Sequence, residues 1–271
     1  MYQQFFGFAE YPFHITPDPR FLYLSATHQE ALAHLRYGLE QRKGFMVITG
    51  EVGCGKTLLC RTLLDSLDEK LFETAWLYSP QGSFDQLLRA VGKELGVEFN
   101  KTEDTLLDQL NAALLEKAKK GKEIVLVIDE AQNLSYELLE QIRVLSNLET
   151  DRRKLLQILL VGQPELKVKL NQPQLRQLKQ RVLVYYDLDA LDVTETKRYI
   201  NHRLNLVSQQ PGSPKFTYSA FRKIFRYSRG VPRIVNNVCD KVLLSAFGRL
   251  SVKIEKKDVK KAIEDIERLS I

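Results

Sequence analysis

Cysteine is scarce in this chain: Cys54, Cys60 and Cys239 are the only three among 271 residues, and their spacing matches neither a disulfide framework nor a metal site. That usage suits a reducing compartment. The histidines His14, His28 and His34 form no metal-ligand spacing. The N-terminus, Met1-Tyr-Gln-Gln-Phe-Phe-Gly-Phe, has neither a basic n-region nor a long apolar run. Nothing approaches the roughly 18 consecutive apolar residues that would span a bilayer, so a cytoplasmic, soluble protein is expected. Internal repeats and low-complexity tracts are also lacking. At 44% apolar and 27% charged residues, the composition excludes disorder, collagen and a disulfide scaffold. Its 40 basic residues outnumber 34 acidic ones, a net charge of +6. That excess permits a nucleic-acid or anionic-membrane partner, and a solvated basic surface is the plainer reading.

What the sequence does have is order along the chain. The first 25 residues combine prolines (Pro12, Pro17, Pro19) with aromatics (Phe5, Phe6, Phe8, Phe13, Phe21). Prolines at this density argue against regular structure. The aromatics need burial, so an ordered lead-in draped on the core is expected. A helix over His28–Arg42 follows. Short apolar runs then alternate with helical stretches. Strands are expected at 45–49, 74–78, 124–128, 156–161 and 182–186, and helices at 56–67, 83–95, 104–119, 136–148 and 164–179. Apolar strands alternating with helices predict a parallel sheet covered on both faces. From about Leu191 only helical periodicity remains, at 193–208, 218–227, 232–247 and 256–269, broken by Pro211-Gly-Ser-Pro and Gly230-Val-Pro. The expected organisation is a lead-in (1–25), an α/β domain (26–190) and a small all-helical domain (191–271).

Gly50-Glu51-Val52-Gly53-Cys54-Gly55-Lys56-Thr57 matches the phosphate-binding loop in full and sits between a strand and a helix. The glycines let backbone N–H groups face the phosphates, and the helix that follows from about Lys56, with Leu58 in its first turn, directs its positive end at them. Lys56 would neutralise the β- and γ-phosphates, and the Thr57 hydroxyl would ligate Mg²⁺. Cys54 reads as a tolerated small side chain. Asp129-Glu130 ends the third apolar strand, on the edge where α/β sheets bind ligands. Asp129 would hold the magnesium and Glu130 would act as general base on water. A strand-helix segment between loop strand and acidic strand allows an extra strand to be wedged between them in the sheet.

Three further positions carry two readings each. Gln163 ends the fourth strand and would orient water at the γ-phosphate, or it merely begins a helix before Pro164. Arg181, with Arg176 as its rival, would reach a neighbouring subunit's nucleotide as an arginine finger, or serves as a helix-end cation. Arg233, in Gly230-Val-Pro-Arg233, begins a helix where the dipole disfavours a cation. A compensating anion is therefore expected, and the γ-phosphate would supply it.

Together these elements resemble the AAA+ ATPases. More narrowly, the chain resembles the general secretion pathway protein A (ExeA-like) and MSHA-pilus biogenesis (MshM) family. The residues that carry this likeness are Phe6-Gly-Phe8, Pro12-Phe13, Thr16-Pro-Asp-Pro19, Phe21-Leu-Tyr-Leu-Ser25, Ile128-Asp-Glu-Ala-Gln132, Gly162-Gln-Pro-Glu-Leu166 and Tyr199-Ile-x-His-Arg-Leu204. The resemblance covers essentially the whole chain. It implies a parallel five-stranded P-loop NTPase sheet with a helical lid, and an oligomeric, ATP-hydrolysing assembly factor for secretion, pilus or exopolysaccharide machinery. It also implies a homo-oligomeric ring or filament with Arg181 acting in trans, and a membrane partner at the inner face of the inner membrane. Phe13 and Ile200 would flank the adenine, or they are plain core packing; His202 reads as a surface or capping histidine. Secretion-type members often continue into a membrane segment and a peptidoglycan-binding part. This chain, ending at Ile271, is expected to be a short cytoplasmic member or an excised domain, and direct peptidoglycan contact is not expected of it.

A second class shares this core: AAA+ regulators of transposition that form ATP-dependent filaments on DNA. Lys253, Lys256, Lys257, Lys260 and Lys261 would suit a phosphate backbone. Glu255, Asp258, Glu264, Asp265 and Glu267 interleave with them, which reads as a helix laced with ion pairs. A nucleotide-switch signalling ATPase is the third class.

Overall fold

In chain order the elements are α1 (Tyr2–Phe6), α2 (Ala26–Glu40), β1 (Phe45–Gly50), α3 (Lys56–Asp65), β2 (Phe72–Tyr78), α4 (Phe84–Glu94), α5 (Leu106–Lys119), β3 (Glu123–Asp129), α6 (Tyr136–Leu145), β4 (Leu156–Gly162), α7 (Pro164–Leu170), α8 (Arg176–Arg181), β5 (Val182–Leu188), α9 (Val193–Val207), β6 (Lys215–Phe216), α10 (Tyr218–Ser228), α11 (Pro232–Gly248), β7 (Lys253–Ile254) and α12 (Lys256–Glu267). This computed structural model describes residues 2–14, 18–101, 104–150, 154–209 and 214–268. Thr16-Pro17 of the lead-in motif, the Pro211–Ser213 break and the expected helix end at Leu269 lie outside the described residues. The chain divides into two compact units, Thr27–Gly50 with Leu59–Leu188, and Met1–Ala26 with Glu51–Leu58 and Asp189–Ile271.

The first unit is built on a five-stranded sheet of order β2-β3-β4-β1-β5, with every pairing parallel. Residues of β1 and β4 are buried throughout, as are all of β3 after Glu123. Such strands have no solvent face and require helices on both sides. As the sequence allows, β4 is wedged between β1 and β3. Capping boxes fix two of the covering helices: Ser83 with Gln86 starts α4, and Thr105 with Asp108 starts α5. One expected helix is two. The run 164–179 breaks after Leu170, because Pro173 has no N–H to donate and restricts the residue before it. The chain resumes as α8 at Arg176.

The second unit packs α9 to α12 around a core of its own. Two-residue strands β6 and β7 add a short parallel pairing to its helices. The lead-in, expected to drape on the α/β core, instead contributes Tyr2, Phe6, Phe8, Phe13 and Phe21 to this second core. The aromatics need apolar partners, and α9 and α11 supply them with Ile200, Leu204, Val235 and Cys239. Its backbone is tied as well: Phe8 bridges Ser208 in antiparallel fashion, Ala9 N–H donates to the Val207 carbonyl at 2.8 Å, and Gln209 N–H to the Gly7 carbonyl at 2.8 Å. The Tyr2 hydroxyl donates to the Asp240 carboxylate, and burial followed by that bond pushes the phenol's pKa up. Among the described residues no helix is long and apolar enough to cross a membrane.

Gly230 closes the turn before α11. Its φ of +79° is left-handed, and a Cβ there would lie 1.8 Å from the Leu191 carbonyl oxygen; Leu191 N–H in turn donates to the Gly230 carbonyl at 3.1 Å. Gly230→Ala is expected to cost at least about 2 kcal/mol, from left-handed strain plus overlap. Urea unfolding of the two proteins measures it, and a loss under about 0.5 kcal/mol, the range of neutral surface changes, would show that the turn relaxes freely.

Candidate functional site

β1 delivers the chain at Gly50 to the phosphate loop, and α3 begins at Lys56. Within the loop, Cys54 N–H donates to the Glu51 carbonyl at 3.2 Å, and the Lys56 ammonium folds back onto the same carbonyl at 3.0 Å. Lys56 and Cys54 are buried, while Glu51 and Val52 are exposed and Gly55, Thr57 and Leu58 are half-buried. Burial pushes the Cys54 thiol up, and the neighbouring Lys56 charge offsets part of that shift. Gly53 adopts φ +85°, and a Cβ there would stand 2.4 Å from Cβ of Arg233. The Arg233 N–H donates to the Gly53 carbonyl at 3.3 Å. The Gly230-Val-Pro-Arg233 turn therefore packs directly on the loop, and the side chain of Arg233 is exposed there. Pro232 at the first turn of α11 presets the helical φ at this junction.

In the α/β unit, Asp129 ends β3 and is 1% exposed; its Oδ1 accepts from Glu130 N–H at 2.9 Å. Glu130 occupies the left-handed region at φ 54°, ψ 38°, a conformation that costs a non-glycine residue about 1–2 kcal/mol and turns its side chain off the strand line. The Glu130 carboxylate accepts from Gln163 Nε2 at 3.0 Å and from Gln132 Nε2 at 2.5 Å. Gln163 N–H donates to Gln132 Oε1 at 3.0 Å, closing a three-residue ring. Gln163 is the N-cap of α7 without a side-chain capping bond, so its amide is turned toward Glu130. Gln132 received no role from sequence. Its two-residue spacing from Glu130 at a strand end is the signal that marks it.

Arg181, the last residue of α8, is partly buried and donates to Ser146 Oγ at 2.8 Å within its own chain; Arg176, the first, is exposed. Phe13 and Ile200 are both buried in the core of the helical unit, 2% and 0% exposed. His202 lies against the Tyr23 ring, and burial and the Arg203 charge hold its pKa below the usual histidine range. Sequence reasoning also passed over Arg203. It is buried, donates to the Pro12 carbonyl at 2.6 Å, to Tyr199 Oη at 2.9 Å and to the His14 carbonyl at 3.4 Å, and lies 4.6 Å from the Phe21 ring centroid. Among the described residues no cluster of three or more His, Cys, Asp or Glu could hold a metal ion.

A family model described as an AAA domain matches residues 39–170. General secretion pathway protein A of Aeromonas hydrophila is 43% identical over 268 residues, covering 98% of this chain and 48% of that protein, so the chain spans about half the length of this curated relative. Among solved structures, the Aeropyrum pernix ORC2 protein in ADPNP–ADP complexes has a TM-score of 0.72 at 17% identity, covering 95% of this chain and 72% of that one. Cdc6p from Pyrobaculum aerophilum has a TM-score of 0.69 at 15% identity, covering 92% and 71%. RuvB of Thermotoga maritima, a Holliday junction branch migration motor, has 0.54 at 19%, covering 87% and 68%. These structures establish the fold alone. With its P-loop, its parallel sheet with β4 between β1 and β3, and the sequence identity that runs through both units, the chain belongs to the AAA+ P-loop NTPases and is a homologue of general secretion pathway protein A.

Proposed function

We propose that this chain binds ATP with Mg²⁺, hydrolyses it, and works as an oligomeric assembly factor for a secretion, pilus or exopolysaccharide system through a membrane partner. The observation that carries the catalytic part is the packing of the Gly230–Arg233 turn on the phosphate loop. It sets a cation whose helix position favours an anion beside backbone built to cradle phosphate. The secretion assignment rests on the 43% identity to general secretion pathway protein A.

The Lys56 ammonium would exchange the Glu51 carbonyl for phosphate oxygens, and Arg233 would complete the cationic side. Thr57 and Asp129 offer the hard oxygen ligands that suit magnesium, an ion usually held by one or two protein groups together with substrate phosphates. When bound, Mg²⁺ neutralises charge that develops on the phosphates. Glu130 would take the proton from the attacking water, and its two amide bonds hold the carboxylate in place until that water competes for it. Gln163, hydrogen-bonded to Glu130, would orient the same water. Arg181 would act on a neighbouring subunit's nucleotide by giving up its bond to Ser146.

Lys56→Ala is expected to weaken nucleotide binding by about 10- to 150-fold, the worth of a charge-assisted hydrogen bond of roughly 1.5–3 kcal/mol. Unchanged affinity for a fluorescent ATP analogue would remove the loop assignment. Glu130→Gln should bind ATP normally and lose about 10²- to 10⁴-fold in turnover, the usual contribution of a general base; near-normal phosphate release would exclude Glu130 from that role. Wild-type turnover per chain should rise with protein concentration. Arg181→Ala protein should lack activity yet regain it when mixed with Lys56→Ala protein, which supplies the finger. Mixtures that stay inactive, while Arg176→Ala mixtures recover, would transfer the finger to Arg176.

A further inference from the structure

The positive charge of this chain is not spread along it. From Thr196 to Cys239, 44 residues contain nine Lys and Arg and no Asp or Glu. The remaining residues hold 31 basic against 34 acidic side chains, so the whole excess of +6 originates in this one tract. Two of the nine have roles already described: Arg203 is buried on the lead-in carbonyls and Arg233 lies on the phosphate loop. Four of the other seven fall on α10 or its C-cap, namely Arg222, Lys223, Arg226 and Arg229. The Lys197 ammonium lies 5.8 Å from the Phe221 ring centroid, which brings a further cation beside α10. Among the described residues none of these seven lies within 4.0 Å of a carboxylate.

The helix is strictly two-faced. Ala220, Phe221, Ile224 and Ser228 are buried. Tyr218, Arg222 and Arg226 follow at spacings of four, which align them in one exposed stripe, and Arg229, the left-handed C-cap, is exposed just beyond its end. Arg222 stacks on Tyr218, 5.8 Å from the ring centroid, and Tyr218 is 69% exposed. Like charges at such spacings repel, by about 0.2–0.5 kcal/mol per pair. On and before α12 of the same unit, by contrast, Lys253 and Lys257 pair with Glu255 at 3.0 and 2.9 Å, and Lys260 pairs with Glu264 at 3.6 Å. The contrast singles out α10 as a face that awaits an external polyanion. Apart from Tyr218, its exposed positions carry no large apolar side chain of the kind that enters a bilayer. Its stripe is made of arginine, whose planar fork matches phosphate oxygens, beside an aromatic ring that can stack on a base. From Arg222 to Arg226 the helix rises about 6 Å, a length over which one strand of a duplex presents about two phosphates.

We propose that α10 is a nucleic-acid-binding surface, on which Arg222, Arg226 and Arg229 pair with backbone phosphates and Tyr218 packs against the strand. The surface lies outside the nucleotide site, and the inference stands whether or not the chain hydrolyses ATP. Of the lysines read from sequence as the cationic footprint, Lys253, Lys257 and Lys260 are held by carboxylates of their own segment.

The test is anisotropy of short labelled duplex and single-stranded DNA titrated with the full chain between about 50 and about 200 mM salt. Binding should fall steeply with salt. Arg222→Gln/Arg226→Gln should weaken it at least about tenfold and lower the log–log salt slope by about 2, since each phosphate contact contributes about 0.9. Each single substitution should lower the slope by about half as much. Lys257→Gln/Lys260→Gln on α12, which removes two paired lysines, should stay within about twofold of wild type. A thermal unfolding curve unchanged in the α10 variant assigns the loss to contacts. No binding at low salt, equal losses from the α10 and α12 variants, or affinity for phosphatidylglycerol vesicles without affinity for either nucleic acid would overturn the proposal.

Discussion

Because β1, β3 and β4 run in one direction and are buried almost throughout, none can be joined to its neighbour by a tight turn. Each connection must cross over, and each strand must end on the same edge of the sheet. That requirement brings Glu130, just after β3, and Gln163, just after β4, within one hydrogen-bonded ring, although 33 positions separate Glu130 from Gln163. Registration of β3 against β4, Ile128 opposite Leu160, sets how closely the two ends approach. The polar chemistry at this edge is thus fixed by the most apolar part of the molecule.

The helical unit solves a different problem. It buries a permanently charged guanidinium, Arg203, whose desolvation must be met by well-placed acceptors. The Pro12 and His14 carbonyls and the Tyr199 hydroxyl supply them, and the Tyr199 hydroxyl in turn donates to Asn236 Oδ1 at 2.8 Å. The lead-in is therefore more than a hydrophobic cover. Its backbone serves as the solvating shell of a buried charge.

Much of this was legible beforehand, and the reasons differ by element. The five strands were readable because fully buried parallel strands leave uninterrupted apolar runs, and the phosphate loop because its glycines, lysine and threonine stand at fixed offsets between strand and helix. The split between α7 and α8 was written in Pro173 but masked by apolar periodicity that carries across the break. The docking of the lead-in was not legible, since aromatic residues declare a need for burial without naming the surface that meets it. Gln132 and Arg203 were hidden for a related reason. Their roles are hydrogen bonds to groups distant in sequence, and a polar side chain carries no periodicity that reports its partner. The charge of the α10 tract was present in the sequence, but only the ion pairs of α12 show which cations are already satisfied.

The tie between Arg203 and Pro12 spans 191 positions, and that between Tyr2 and Asp240 spans 238. During synthesis the aromatic lead-in emerges before the sheet, yet the helices that cover it are made after the sheet. In the interval the sheet can acquire all five strands, because β5 closes at Leu188, while Phe6, Phe8 and Phe13 still lack their partners. The order of chain emergence thus leaves a window in which a well-formed α/β unit carries an uncovered aromatic tail, a state suited to capture by a chaperone and exposed to intermolecular association.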